Sequence, residues 1–157
     1  MSHFLGLRVA EGQKPISLLD FLIQWILRVA GASLWVHEYG HLYGALLINI
    51  YAEIRTTNIT AVYPDPAALP FTSIEHLIFY GSGGLLQCLF FLAMNIRNND
   101  QENRMVNAMV AVHGLIYGVF EAGFPRSTWG LGGLLGSFAG FFIFFLFVWW
   151  RKPEIVA

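Results

Sequence analysis

Residues 129–150 read WGLGGLLGSFAGFFIFFLFVWW and contain no charged side chain. About 20 predominantly apolar residues are enough for a helix to cross a hydrocarbon core of roughly 30 Å. Tryptophan stands at both ends of the stretch, and Arg151 and Lys152 follow at once, as is typical of a segment anchored at two membrane interfaces. This stretch therefore predicts a transmembrane helix, and it decides the fold class.

The composition of the whole chain agrees with a membrane protein. Of the 157 residues, 56% are hydrophobic and only 12% are charged, whereas about 25% charged residues is usual in soluble domains. A single domain of this length has too little interior to bury that much apolar surface, so the excess must face lipid. This disfavours a soluble enzyme.

Charge and cysteine content exclude two further classes. Nine Lys and Arg stand against ten Asp and Glu, and there is no basic run, which removes the electrostatic reason to expect a nucleic-acid partner. Cys88 is the single cysteine, so the chain can form neither an intramolecular disulfide nor a cysteine-based zinc cluster.

Three more stretches are long and apolar enough to cross a membrane. In chain order the four candidates are residues 33–51, 73–96, 105–124 and 129–150. We therefore predict an all-α integral membrane protein with four transmembrane helices, folded as one membrane domain over residues 1–157. The first residues lack the pattern of a cleavable signal peptide.

The region before the first crossing has a polar stripe. Asp20, Gln24 and Arg28 repeat every four residues in an otherwise apolar sequence, which places them on one face of a helix. We predict an interfacial amphipathic helix over residues 16–30, with a joint at 31–33 before the crossing. A single long tilted helix is the alternative.

Positive charges are distributed unevenly between the two sides of the predicted membrane. With four crossings, both termini and the connector 97–104 share one side. That side holds Arg8, Lys14, Arg97, Arg104, Arg151 and Lys152, whereas the other side holds only Arg55 and Arg126. The positive-inside tendency therefore predicts that both termini are cytoplasmic.

The loop after the first crossing has a β-like character. The stretch Ile54 to Val62 is rich in β-branched residues, and Tyr63-Pro64-Asp65-Pro66 follows it. We predict a strand or short hairpin that ends in a turn.

The string His37-Glu38-Tyr39-Gly40-His41 lies inside the first crossing. Two histidines four residues apart lie on the same helix face, so both imidazoles can reach one Zn²⁺ ion. Glu38 directly follows the first of them and can take a proton from a zinc-bound water. Ionisable groups in a membrane segment are costly unless they face a cavity, a partner or a metal. We therefore predict a metal site; hydrogen bonding between helices is the alternative.

A catalytic zinc site needs a third protein ligand and an open position. His113, Tyr117 and Glu121 follow one another at intervals of four and share one face of the third crossing. If the first crossing starts near Ser33, the depth of the histidine pair favours His113 as the ligand. One long tilted helix favours Glu121 instead. The residues alone leave both open.

These motifs resemble those of the site-2 protease family of intramembrane zinc metalloproteases. That family has HExxH on its first core helix, then a β-rich segment. A Gly-Pro-x-x-Asn motif follows on the second helix, and an Asn lies roughly two turns before an Asp-Gly on the third. The chain is similar to this pattern over residues 33–124. HEYGH matches the first motif, and Ile54–Val62 takes the place of the β-rich segment. Gly83-Gly84-Leu85-Leu86-Gln87 resembles the motif of the second helix, and His113 to Glu121, with Gly123, resembles that of the third.

The resemblance implies a function and a set of site residues. It implies Zn²⁺ held by His37, His41 and Glu121, with Glu38 as the catalytic base that activates the zinc-bound water and Gln87 as a hydrogen-bond donor to the substrate or oxyanion. The expected reaction is hydrolysis of a peptide bond in a membrane-protein or peptide substrate, which would pair with the Ile54–Val62 strand.

The runner-up is a non-catalytic metal-binding or structural accessory subunit of a larger membrane complex. Five glycines on the fourth crossing form small-residue patches that suit close packing against a helix of this chain or of a membrane-protein partner. These are Gly130, Gly132, Gly133, Gly136 and Gly140.

Overall fold

The computed structural model describes residues 18–50, 52–55, 60–62 and 74–150. Sequence predictions for residues 1–17, Tyr51, the turn at 63–66, Ser73 and the basic pair at 151–152 lie outside these ranges. In chain order the elements are α1 (Leu18–Gly31), a π-helical turn (Ala32–His37), α2 (Glu38–Leu47), strands β1 (Glu53–Arg55) and β2 (Thr60–Val62), α3 (Ile74–Arg97), α4 (Gln101–Gly123), a 3-10 turn (Arg126–Thr128) and α5 (Trp129–Trp150).

Four helical segments of the described chain are long and apolar enough to cross a membrane. They are Leu19–Leu47, Ile74–Arg97, Asn103–Gly123 and Arg126–Leu146. This confirms the predicted all-α membrane fold with four spanning helices. Large apolar side chains cover the outer surfaces of these helices, which suits contact with lipid rather than water.

The first spanning segment is continuous. The predicted interfacial helix and the predicted first crossing join through the π-helical turn without a break, at the place where the sequence suggested a joint. One face of α1 packs against α5: the Phe21 ring stacks on Phe144 with centroids 4.4 Å apart, and Trp25 lies 4.7 Å from Phe141. The part of the chain assigned to a membrane surface is thus also part of the helical bundle.

The polar stripe of α1 faces α4 at one position. The Arg28 guanidinium donates hydrogen bonds to Asn107 Oδ1 at 2.8 Å, to the Asn103 carbonyl at 3.2 Å and to Gln24 Oε1 at 3.1 Å. Because Asn107 is buried, the pair satisfies two polar groups that would otherwise be costly inside the bundle.

The chain leaves α2 through a left-handed residue and enters a small hairpin. Asn49 has φ of 58°, a conformation that Asn tolerates better than most residues and that often ends helices. The Ile50 N–H donates to the Ala45 carbonyl at 2.8 Å. Strands β1 and β2 then pair antiparallel, with Ile54 opposite Ala61, in keeping with the predicted hairpin.

Helix α4 lies at the centre of the bundle, packed by α3, α5 and α1. Its contact with α3 is backbone to backbone: a Cβ added to Gly118 would lie 2.8 Å from Gly84 Cα. Its contact with α5 also uses glycine, since a Cβ on Gly136 would lie 2.9 Å from the His113 carbonyl oxygen. Small residues allow this close approach, so Gly136 and also Gly132, which faces Phe120 of α4, serve packing within this chain.

Candidate metal centre

Three ionisable side chains from two parts of the chain meet inside the bundle. His37 closes the π-helical turn, His41 lies one turn later on α2, and Glu121 lies near the end of α4. The exposed fractions of the three residues are 2%, 3% and 5%. The Glu121 Oε2 atom lies 2.7 Å from His37 Nε2 and 3.4 Å from His41 Nε2. Groups of this kind remain in an apolar interior only when they are paired or bind a metal.

The hydrogen bond of His41 fixes the direction of its lone pair. Its Nδ1 atom lies 2.8 Å from the backbone carbonyl of Phe79 on α3. A carbonyl only accepts, so Nδ1 carries the proton and a neutral ring has its lone pair on Nε2, the atom that lies 3.4 Å from Glu121 Oε2. Two acceptors facing one another at 3.4 Å repel each other unless a cation lies between them or a proton is added. The geometry therefore favours a positive charge at this point.

Glycine in α3 makes room for the two imidazoles. A Cβ on Gly83 would lie 2.6 Å from His41 Nε2 and 2.8 Å from His37 Nε2. Real Cβ atoms do not approach other atoms so closely, so any other residue would move the rings. On the other side, a Cβ on Gly40 would lie 2.6 Å from Gly83 Cα. The site therefore depends on backbone contact between α2 and α3.

The three side chains suit a metal ion by donor type, and one of the two distances from Glu121 to the histidines matches a tetrahedral zinc site. One ligand atom from each residue can be chosen so that all lie within 4.8 Å of one another. Ligands in a tetrahedral zinc site at about 2.0–2.1 Å from the ion lie about 3.3 Å apart. The His41 to Glu121 separation of 3.4 Å meets this value, whereas the His37 to Glu121 contact must lengthen. This buried His-His-Glu group could hold a metal ion.

The other residues predicted for the site lie around this group. Glu38 is half-buried and lies close enough to His41 and Tyr117 to interact electrostatically with both. His113 lies outside the three-residue group, and its ring packs against Gly136 of α5. Of the two candidates for a third ligand, the structure brings Glu121 to the histidine pair.

Gln87 lies one turn beyond Gly83 on α3 and is fully buried. Its Nε2 atom donates to the Val110 carbonyl at 3.2 Å, and its side chain fills the space above Gly114. Its Oε1 atom has no hydrogen-bond partner in the described part of the chain. In this structure Gln87 therefore contacts α4 rather than the three ligands, with one carbonyl oxygen left to accept.

Two contributions to the site were not predicted from the sequence. The Phe79 carbonyl that orients His41 is a backbone group, so no residue type marks it. The Tyr117 ring lies 5.1 Å from that of His37, and Tyr117 precedes Glu121 by one turn of α4. Its spacing of four residues from Glu121 was visible in the sequence and was the one available signal.

The chain was compared with protein-family models, with curated proteins and with solved structures, and none of them matches.

Proposed function

We propose that this protein is an intramembrane zinc metallopeptidase of the site-2 protease type, which hydrolyses peptide bonds of membrane-associated substrates. The observation that carries the proposal is the buried group of His37, His41 and Glu121, with Glu38 directly after the first histidine. Two imidazoles and one carboxylate are a common ligand set of catalytic zinc, which keeps a further position open. The motif resemblance supports the same reading.

The proposed chemistry divides between the metal and the chain. A bound Zn²⁺ supplies a Lewis acid, which polarises a carbonyl and acidifies water. His37, His41 and Glu121 would hold it, and burial of all three strengthens every electrostatic interaction in the site. Glu38, which is not one of the three ligands, would accept a proton as the general base and deliver it to the leaving amine.

The hairpin supports a route for an extended substrate. Strands β1 and β2 both contact α2, the helix that carries His41. In the proposal, a substrate segment adds to the edge of this hairpin and is thereby held in extended form, the conformation in which a peptide bond is accessible to attack.

The proposed placement is multi-pass in a lipid bilayer with both termini cytoplasmic. It rests on the four spanning helices and on the excess of Lys and Arg on one side. This places the hairpin on the opposite side, where a substrate would enter. No nucleic-acid partner is proposed.

The test combines proteolysis with metal content. Full-length protein is reconstituted in liposomes with a library of quenched-fluorescent transmembrane peptides, as wild type, Glu38→Gln and Glu75→Gln. Glu75 is an exposed acidic residue at the start of α3 and serves as the matched control. We expect the wild-type protein to cleave a peptide in a reaction that a chelator stops. Glu38→Gln should lower the rate by about 100-fold or more while retaining zinc, and Glu75→Gln should leave the rate unchanged. Cleavage by Glu38→Gln at the wild-type rate would contradict the proposal.

A second candidate function is a non-catalytic accessory subunit of a larger membrane complex. The observation that favours it is the 2.7 Å contact between His37 and Glu121, which joins two helices without requiring an ion. The outward apolar face of α5, with Leu131, Leu134 and Phe138 exposed, offers a surface for a membrane-protein partner. Copurification of one partner in fixed ratio, together with absence of proteolysis, would favour this function.

A further inference from the structure

One backbone oxygen on α3 accepts hydrogen bonds from two side chains. The carbonyl oxygen of Phe79 lies 2.8 Å from Nδ1 of His41 and 2.7 Å from the hydroxyl oxygen of Ser82. Because a carbonyl oxygen can only accept, the imidazole N–H and the serine O–H are both donors. His41 is one of the three candidate metal ligands, whereas Ser82 is not. The Phe79 carbonyl therefore connects a candidate ligand with a hydroxyl that belongs to the neighbouring helix.

A regular α-helix does not offer its carbonyls to a neighbouring helix. Each carbonyl points along the helix axis to the N–H four residues further on, so the Phe79 carbonyl must tilt outward to meet an imidazole of α2. A serine that donates to a carbonyl of the preceding turn often bends its helix. Ser82 follows Phe79 by three residues on α3 and makes such a bond. The distortion that this bond favours is the one that the bond to His41 requires.

The Ser82 side chain lies on the side of α3 that faces α2. A Cβ on Gly44 would lie 2.9 Å from Ser82 Cβ, and a Cβ on Gly40 would lie 2.9 Å from the Ser82 carbonyl carbon. Gly40 directly precedes His41, and Gly44 follows it by three residues, so the histidine and the serine share one close helix contact. Because α2 presents glycine here, there is space for the hydroxyl beside the oxygen that His41 uses.

Phe79 contacts His41 through its ring as well as through its carbonyl. The two rings stack with centroids 5.6 Å apart and an interplanar angle of 30°, and Phe79 is fully buried. These contacts hold Nε2, which carries the lone pair of the neutral ring, 3.4 Å from Glu121 Oε2. Outer groups that fix the direction of a ligating imidazole in this way raise the affinity of the site for its metal.

We propose that Ser82 is a positioning residue of the candidate metal centre, whose hydroxyl holds the Phe79 carbonyl in the direction from which it accepts the Nδ1–H bond of His41. Ser82 acts on the site through this carbonyl and not as a ligand. The inference rests on the proposed function only in requiring that the site binds a metal. It does not require that the protein cleaves peptides.

The test measures metal binding by the full-length, detergent-purified protein as wild type, Ser82→Ala and Ser137→Ala. Zn²⁺ affinity is determined by competition with a chelator, and Co²⁺ is used as a probe whose visible spectrum reports coordination geometry. Circular dichroism shows whether each variant keeps its helices. Ser137→Ala is the matched control, because Ser137 donates to the Gly133 carbonyl at 2.9 Å on α5, a helix that carries none of the three ligands.

We expect Zn²⁺ affinity to fall about 10-fold in Ser82→Ala, at the lower end of the range for outer groups because the serine acts through a carbonyl. The Co²⁺ bands should shift and the helicity should stay the same. Ser137→Ala should match wild type in all three measurements. Wild-type affinity with an unchanged Co²⁺ spectrum in Ser82→Ala would overturn the inference, and so would an equal loss of affinity in both variants.

If Ser82→Ala is not recovered as folded protein, Ser82→Cys decides the question. A thiol is a weaker donor than a hydroxyl, so the affinity should again fall below that of wild type, and an unchanged affinity would overturn the proposal. The results also separate the inference from the proposed function. Metal binding that depends on Ser82 without any proteolysis defeats only the function, whereas a wild-type protein that binds no metal defeats both.

Discussion

The Nε2 atom of His37 lies 2.7 Å from the Oε2 atom of Glu121, although 84 positions separate the two residues in the chain. The contact joins the end of the π-helical turn to the end of α4, across the interior of the bundle. Because both side chains are buried, neither can exchange its partner for water. The geometry of this pair determines which residues can complete a metal site.

Replacement of the two candidate third ligands by alanine will give opposite results. Glu121→Ala removes the oxygen that faces both imidazoles, so metal content should fall from about one ion per chain to near zero. His113→Ala removes a ring that lies outside the ligand group, so most of the metal should remain. Elemental mass spectrometry of detergent-purified protein measures both. Loss of metal in His113→Ala with retention in Glu121→Ala would show that His113, and not Glu121, is the third ligand.

Gly83→Ala should abolish metal binding without any change in a ligand. The added methyl would lie 2.6 Å from His41 Nε2, so α3 must move away or the imidazole must turn out of the site. Gly81→Ala on the same helix is the control, because its methyl would lie 3.6 Å from Ala122 Cβ, an ordinary contact. The measurements are metal content, which should fall only in Gly83→Ala, and circular dichroism, which reports whether each variant keeps its helices. Equal metal content in both variants would show that α3 does not border the site so closely.

Gly118→Ala should weaken the contact between α3 and α4. A methyl at this position would lie 2.8 Å from Gly84 Cα, and overpacking of this kind costs about 1–3 kcal/mol. Gly130→Ala on α5 is the matched control, because nothing lies within 4 Å of a Cβ there. The free energy of unfolding in detergent micelles should fall for the first variant and stay close to wild type for the second. The same value for both would refute the close helix contact.

Arg28→Met should loosen α1 from the bundle. The methionine keeps an apolar stem but removes the guanidinium that donates to Asn107 Oδ1 at 2.8 Å, and Asn107 is buried. Loss of a hydrogen bond that leaves a buried acceptor unpaired costs about 1–3 kcal/mol. Arg104→Met removes an exposed guanidinium and should cost little. Proteolytic susceptibility of α1 is the measurement; equal susceptibility in the two variants would mean that Arg28 does not fasten the helix.

The helices could be predicted from the sequence because lipid imposes a simple requirement. A spanning helix must be long and apolar, and Trp129–Trp150 meets that requirement over its whole length. The histidine pair could be predicted because a spacing of four fixes a shared helix face regardless of the surroundings. Both features depend only on local sequence, the first on length and apolar composition and the second on helical periodicity.

The identity of the third group at the site depended on tertiary contacts. His113 and Glu121 share one face of α4, so periodicity cannot separate them, and the choice depends on the relative depth of two helices. That depth follows from the contact of His37 with Glu121 and from the continuity of α1, the π-helical turn and α2. Likewise, the role of Gly83 comes from backbone contact with α2, which no local pattern encodes.

The π-helical turn sets the angular phase of the first spanning segment. In an uninterrupted α-helix, which turns by about 100° per residue, Phe21 and Trp25 would point roughly 160° away from His37 and His41. A π-helix closes its hydrogen bonds over one more residue per turn, so the turn at Ala32–His37 absorbs part of that difference. The apolar face of α1 and the histidine pair can then both point into one bundle. Deletion of a single residue within this turn would rotate α1 against α2 by about 100°. The first spanning segment could then keep either the packing of Phe21 and Trp25 or the position of the histidine pair, but not both.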